Sequence, residues 1–132
     1  MFSRAAAIAL LFAGAAAAAE FPSKPVRLIL GFPPGGATDL VARAMQPRMS
    51  AALGHQLVID NRPGANGIIG ADLVAKATAD GYTLLLTTGT MSTTPYFYKT
   101  LPYDTVRDFT PVTMVVRNTG HVLTVTPKDR KS

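Results

Sequence analysis

The chain has 132 residues, with 13 lysines and arginines against 8 acidic residues, a formal charge of +5 and no cysteine. That length allows one domain at most, and the lack of cysteine excludes both a disulfide framework and thiol chemistry, so the domain must be held by its core. The basic residues are scattered except for Lys128, Arg130 and Lys131, and no stretch interleaves them with aromatics, which argues against a nucleic-acid surface.

Met1 to Ala19 carries one basic residue, Arg4, then an apolar run rich in small residues that ends in an Ala-x-Ala pattern before Glu20. This predicts a secretory signal peptide over 1–19, because the run is shorter than the roughly 20 residues a spanning helix needs. Its removal takes one positive charge with it. Phe21 to Pro25 is an extended lead-in containing two prolines, and a first strand is predicted over Val26 to Gly31.

Phe32 to Asp39, FPPGGATD, is a proline-glycine loop in front of a helix predicted from Thr38 to Leu53, with Thr38 or Asp39 as its cap. Pro47 predicts a kink or break near Gln46, and Gly54 a stop. His55 reads as a surface or capping residue. A second strand is predicted over Gln56 to Asp60. It leads into the loop NRPGANG, Asn61 to Gly67, and a second helix with Ile68, Ile69, Leu73, Val74 and Ala77 on its apolar face. Asn66 is the cap candidate there, and Asp72 the acidic residue expected to complement the helix dipole. After the turn at Asp80-Gly81, a third strand is predicted over Tyr82 to Thr87, emptying into the hydroxyl-rich loop Thr87 to Thr94.

Tyr96, Phe97 and Tyr98 are expected to pack a short helix or turn on the core. Lys99 to Asp108 reads as a connector with a cap at Asp104. Phe109 to Val116 and His121 to Thr126 are candidates for two further strands, paired through a turn at Asn118 to Gly120.

Strands alternating with helices imply an α/β fold with a mostly parallel sheet, whose ligands sit beyond the carboxyl ends of the strands. The three polar loops begin at those ends and are expected to share one rim. The first loop lacks a lysine after Gly36 and is not a P-loop. Gly64, Gly67 and Gly70 are spaced G-x-x-G-x-x-G instead of G-x-G-x-x-G, a spacing better suited to close packing of helix on sheet. The rim loops contain no histidine, cysteine, lysine or glutamate, and nothing has metal-ligand spacing, so neither an enzyme nor a metal or cofactor site is expected. Backbone N–H groups at a helix N-terminus, hydroxyls and an apolar wall from Phe32 and the prolines suit recognition of an anion.

The stretches FPSKPVRLILGFPPGGATDLVARAM, VIDNRPGANGIIGADLVAKATADGYTLLL and LPYDTVRDFTPVT together resemble the N-terminal part of the substrate-binding proteins of tripartite tricarboxylate transporters, the Bug family. The resemblance runs from about Phe21 to Val125. It implies a periplasmic solute-binding protein that closes two α/β domains on a di- or tricarboxylate, an acidic amino acid or an aromatic carboxylate, with membrane transporter subunits as candidate partners. It carries ligand contacts onto Gly35, Gly36, Ala37, Thr38, Asp39, Thr88, Gly89 and Thr90, and onto Asn66 and Gly67. Family members are longer, so residues 20–132 read as an incomplete N-terminal domain without the second wall of the cleft. The alternatives are a non-functional remnant or a small exported interaction module.

Overall fold

A computed structural model describes residues 20–117. The signal-peptide reading of 1–19, the turn at Asn118 to Gly120 and the strand expected at His121 to Thr126 lie outside the described residues.

Val26–Leu30 forms β1, the centre of a three-stranded parallel sheet in the order β2-β1-β3, with β2 at Leu57–Asn61 and β3 at Thr83–Leu86. β1 is central because it is apolar on both faces. Val26, Leu28 and Leu30 point one way and Ile29 the other, all 5% exposed or less. Full burial of each such side chain contributes about 1.5–3 kcal/mol. Leu28 lies opposite Ile59 and Leu84, and Leu30 opposite Asn61 and Leu86, which sets the register of both pairings.

The helix α1, Ala37–Leu53, covers the Leu28 face through Ala42, Met49 and Leu53. α2, Ile68–Ala75, leads from β2 across β1 to β3, and right-handed crossovers in both directions place it on the opposite face. Its approach is close because it presents glycine. A Cβ on Gly70 would stand 2.9 Å from the Gly31 Cα, and one on Gly31 would stand 2.7 Å from the Gly67 Cα. The glycine spacing of the second loop and helix is therefore a packing device, as its sequence pattern suggests.

α1 is not broken at Pro47 and runs on to Leu53. Tertiary bonds beside the proline offset its lost backbone bond: the Gln46 amide donates to the Leu57 carbonyl at 2.8 Å, and the Leu57 N–H donates to Ser50 Oγ at 3.0 Å. Gly54 ends the helix in the left-handed conformation, φ 67°. Tyr82 anchors the lead-in segment. Its ring lies 4.9 Å from that of Phe21 and 4.3 Å from the Lys24 ammonium, and its hydroxyl accepts the Ser23 N–H at 2.8 Å.

Five expectations are corrected. Phe109 to Val116 forms no strand: it carries no ladder partner among the described residues, and Val112, Met114 and Val116 are exposed. The stretch Thr87 to Thr94 is a loop only as far as Gly89, because a third helix, α3, spans Thr90–Phe97. Its last turn consequently carries Tyr96 and Phe97 into solvent, 88% and 79% exposed, instead of onto the core. Asn66 does not cap α2 either. It adopts φ 56° inside a 3-10 turn, Ala65–Gly67, the N-cap is Gly67, and Asp72 lies beyond the first turn, paired with Lys76. The Asp104 expectation holds: its carboxylate accepts the Val106 and Arg107 N–H groups at 2.8 and 3.0 Å.

Candidate functional site

The carboxyl ends of β1, β2 and β3 release the three loops on one edge of the sheet, and the strand order reverses between β1 and β3. That is where an open α/β sheet offers a crevice. The loops touch: the Phe32 ring stands 3.6 Å from the position of a Cβ on Gly67, and α3 lies against the Ala65–Gly67 turn. Phe32 is half-buried, while Gly35, Ala37, Asn66, Thr88 and Gly89 are exposed.

In the first loop Gly36 is the N-cap of α1 and supplies no side-chain bond, so neither Thr38 nor Asp39 caps the helix in the expected sense. Asp39, the third helical residue, instead reaches back and accepts the Gly35 N–H at 2.9 Å. The same oxygen accepts Arg43 Nε at 2.8 Å, and the other accepts the Asn61 amide at 3.1 Å. Asn61 also donates to the Phe32 carbonyl at 3.1 Å. Asp39 is only 2% exposed. Its pKa is lowered to about 2, by the Arg43 hydrogen bond first, then by the Gly35 N–H and by Asn61, against the opposing effect of burial.

These bonds determine which backbone donors remain. The Gly35 N–H is taken by Asp39, and the Gly36 N–H is turned to the Pro33 carbonyl at 3.4 Å. The N–H groups of Ala37, Thr38 and Asp39 have no acceptor among the described residues. They are the first-turn donors that every helix leaves over, at its partially positive end. In the third loop Thr88 Oγ1 and Thr90 Oγ1 are 2.9 Å apart, and the Met91 N–H bonds the Thr88 carbonyl at 3.1 Å. The second loop holds Gly64, Ala65, Asn66 and Gly67 all at positive φ, a conformation open to glycine and tolerated by asparagine.

Asn61 and Arg43 are the residues that sequence reasoning missed. Arg43 was available from its i, i+4 relation to Asp39. Asn61 was available from topology, since the last residue of β2 must lie beside the end of β1. His55 lies at the other end of the sheet, in an open depression of about 740 Å³ lined with Phe21 and Leu53. A second depression, about 490 Å³, is lined by Pro95, Tyr98 and Tyr103. Neither includes a residue of the rim, which is an open ledge. Among the described residues no group of three or more acidic or histidine side chains is arranged to hold a metal ion, and no helix is long and apolar enough to cross a membrane.

A model of the family described as tripartite tricarboxylate transporter family receptor matches residues 41–130. The chain belongs to this family. It is 48% identical over 94 residues to a protein encoded in the tcbD-tcbE intergenic region of Pseudomonas sp. (strain P51), covering 71% of this chain and 28% of that protein. It is 41% identical over 97 residues to BugT of Bordetella pertussis, covering 72% and 30% respectively.

Among solved structures, MatC from Rhodopseudomonas palustris with bound malate is similar at TM-score 0.64 and 40% identity, over 70% of this chain and 32% of MatC. An R. palustris protein with adipate is similar at TM-score 0.59 and 38% identity, over 66% and 29%. The chain thus spans less than a third of the length of these relatives.

Proposed function

We propose that the chain is the N-terminal portion, residues 20–132, of an exported, periplasmic receptor that recognises a small carboxylate for tripartite tricarboxylate-type uptake. The observation that carries this reading is the set of N–H groups at Ala37, Thr38 and Asp39 without a partner among the described residues, at the positive end of α1 and beside the strand-order reversal. Gly35 and Gly36 leave the backbone open to an approaching ligand, because no atom stands within 4 Å of a Cβ position on Gly35 and only the Pro33 carbonyl does so at Gly36. Thr88, Gly89 and Thr90 supply hydroxyls and backbone from the third loop. Phe32, Asn66 and Gly67 form the wall between the first and second loops. Asp39 contributes through its N–H, since its carboxylate is turned inward and engaged.

The malate and adipate of the two related structures make dicarboxylates the first ligands to try. A carboxylate bound this way uses charge-assisted bonds, which are roughly twice as strong as neutral ones. Calorimetric titration with malate and adipate, beside their uncharged diamides, tests the reading. Binding of the acids with none by the diamides is the expected result, and Gly36→Val, whose side chain crowds the Pro33 carbonyl and the loop opening, is expected to abolish it. Equal binding by acid and diamide, or an unchanged affinity in Gly36→Val, overturns it.

A further inference from the structure

Asn61 stands at the carboxyl end of β2, outside the set of groups that would touch a ligand, and its carboxamide spends both N–H bonds on the first loop. One goes to the Phe32 carbonyl and one to Asp39 Oδ1, each at 3.1 Å. Asp39 in turn holds the Gly35 N–H and Arg43. From these bonds we infer that Asn61 is a positioning residue for the rim: it fixes the loop Phe32 to Asp39 in the shape that leaves the Ala37, Thr38 and Asp39 amides free at the first turn of α1. The inference rests on the proposed carboxylate reading for its functional consequence, while the loop geometry is testable without any ligand.

β2 and β1 are locked in register by backbone bonds, among them Arg62 N–H to the Leu30 carbonyl at 2.7 Å, so Asn61 is presented from a rigid strand end. The loop it bonds contains Gly35 at φ 79° and two prolines, and its own backbone bonds are few. A side-chain donor from the neighbouring strand is therefore what selects one loop conformation among several. Asp39 holds Gly35 and Arg43 through Oδ2, but only the Asn61 carboxamide ties that carboxylate and the Phe32 carbonyl to the end of β2, and without it Oδ1 is left buried and unpaired. An acceptor in place of the carboxamide, as in Asn61→Asp, fills the same space but would face Asp39 with like charge.

The test uses Asn61→Leu and Asn61→Asp in the chain, followed by amide exchange and by malate titration in nuclear magnetic resonance. Exchange at Ile29 and Leu30, in the buried strand, reports whether each variant is folded. In both variants the Gly35 amide is expected to exchange roughly tenfold faster or more relative to those strand amides, and the Asp39 carboxyl to titrate at higher pH than in the parent. Malate affinity is expected to fall by a similar factor.

Unchanged Gly35 exchange in a folded variant overturns the inference, as does faster exchange accompanied by full malate affinity. If the parent chain binds neither malate nor adipate, the carboxylate reading fails by itself, and the Gly35 exchange still decides whether Asn61 shapes the loop. If the leucine variant unfolds, the aspartate variant, which preserves shape, carries the decision.

Discussion

At the residue scale the sharpest constraints are glycines and one buried carboxylate. Gly70 lies within α2, where alanine ordinarily stabilises a helix by about 1 kcal/mol over glycine. Here an added Cβ would meet the Gly31 Cα at 2.9 Å and its nitrogen at 3.2 Å, backbone atoms that cannot swing aside. Gly70→Ala is therefore expected to destabilise by about 1–3 kcal/mol, read as a lower denaturation midpoint with an unchanged denaturant slope. A gain in stability would contradict the packing described.

Asp39 gives a pH dependence. Its folded pKa, about 2, lies below the value of an unfolded aspartate, so protonation favours the unfolded chain. Its contribution is complete above about pH 4 and is lost as pH falls through about 2. Burial pushes the Asp60 carboxyl up, but Arg27 and Arg62 together outweigh it and hold it below the ordinary value, so it acts in the same direction. The fall in melting temperature between pH 4 and pH 2 should be shallower in Asp39→Asn than in the parent, and equal slopes would refute the assignment. The sequence made the loop glycines and Asp39 visible as a group. It did not reveal that the carboxylate turns inward, because that depends on Asn61, 22 residues away along the chain.

At the scale of the element, α1 does two jobs at its two ends. Its N-terminus offers amides at the rim, and its second half satisfies the edge strand β2. Leu57 is fully buried, and its N–H and carbonyl, which point away from β1, are met by Ser50 and Gln46. Removing both partners in Gln46→Leu/Ser50→Ala leaves two buried backbone groups unpaired and should cost roughly 2 kcal/mol in chemical denaturation. A loss no greater than that of a surface substitution would show that water replaces them.

The strands, α1 and α2 were legible to within two residues from apolar runs, helical spacing and punctuation by proline and glycine. α3 was hidden because Thr90 to Thr94, a run of hydroxyl residues and one methionine before Pro95, has neither apolar periodicity nor a side-chain cap. Phe109 to Val116 failed for the opposite reason. Its β-branched run has strand propensity, but a strand needs a partner, and local sequence does not supply one.

For the whole molecule, the parallel sheet and its common rim followed from the alternation of elements, whereas the exposed side of the sheet did not. β3 is an edge strand, its side chains are only half-buried, and among the described residues nothing pairs with its outer edge. Exposed Val106, Val112, Met114 and Val116 add apolar surface in the C-terminal part. An edge unpaired among the described residues, beside exposed apolar surface, favours association between chains. The sedimentation coefficient of the chain is expected to rise with concentration, and a concentration-independent monomer with a cooperative thermal transition would contradict this.

The most direct measurement on the rim is a malate titration of the isotopically labelled chain followed amide by amide, which detects even weak binding. Saturable shifts centred on Ala37, Thr38 and Asp39, extending to Thr88, Gly89 and Thr90, are predicted. Shifts confined to the depression around His55, or none at the first turn of α1 under conditions where the strand amides report a folded sheet, would contradict the account.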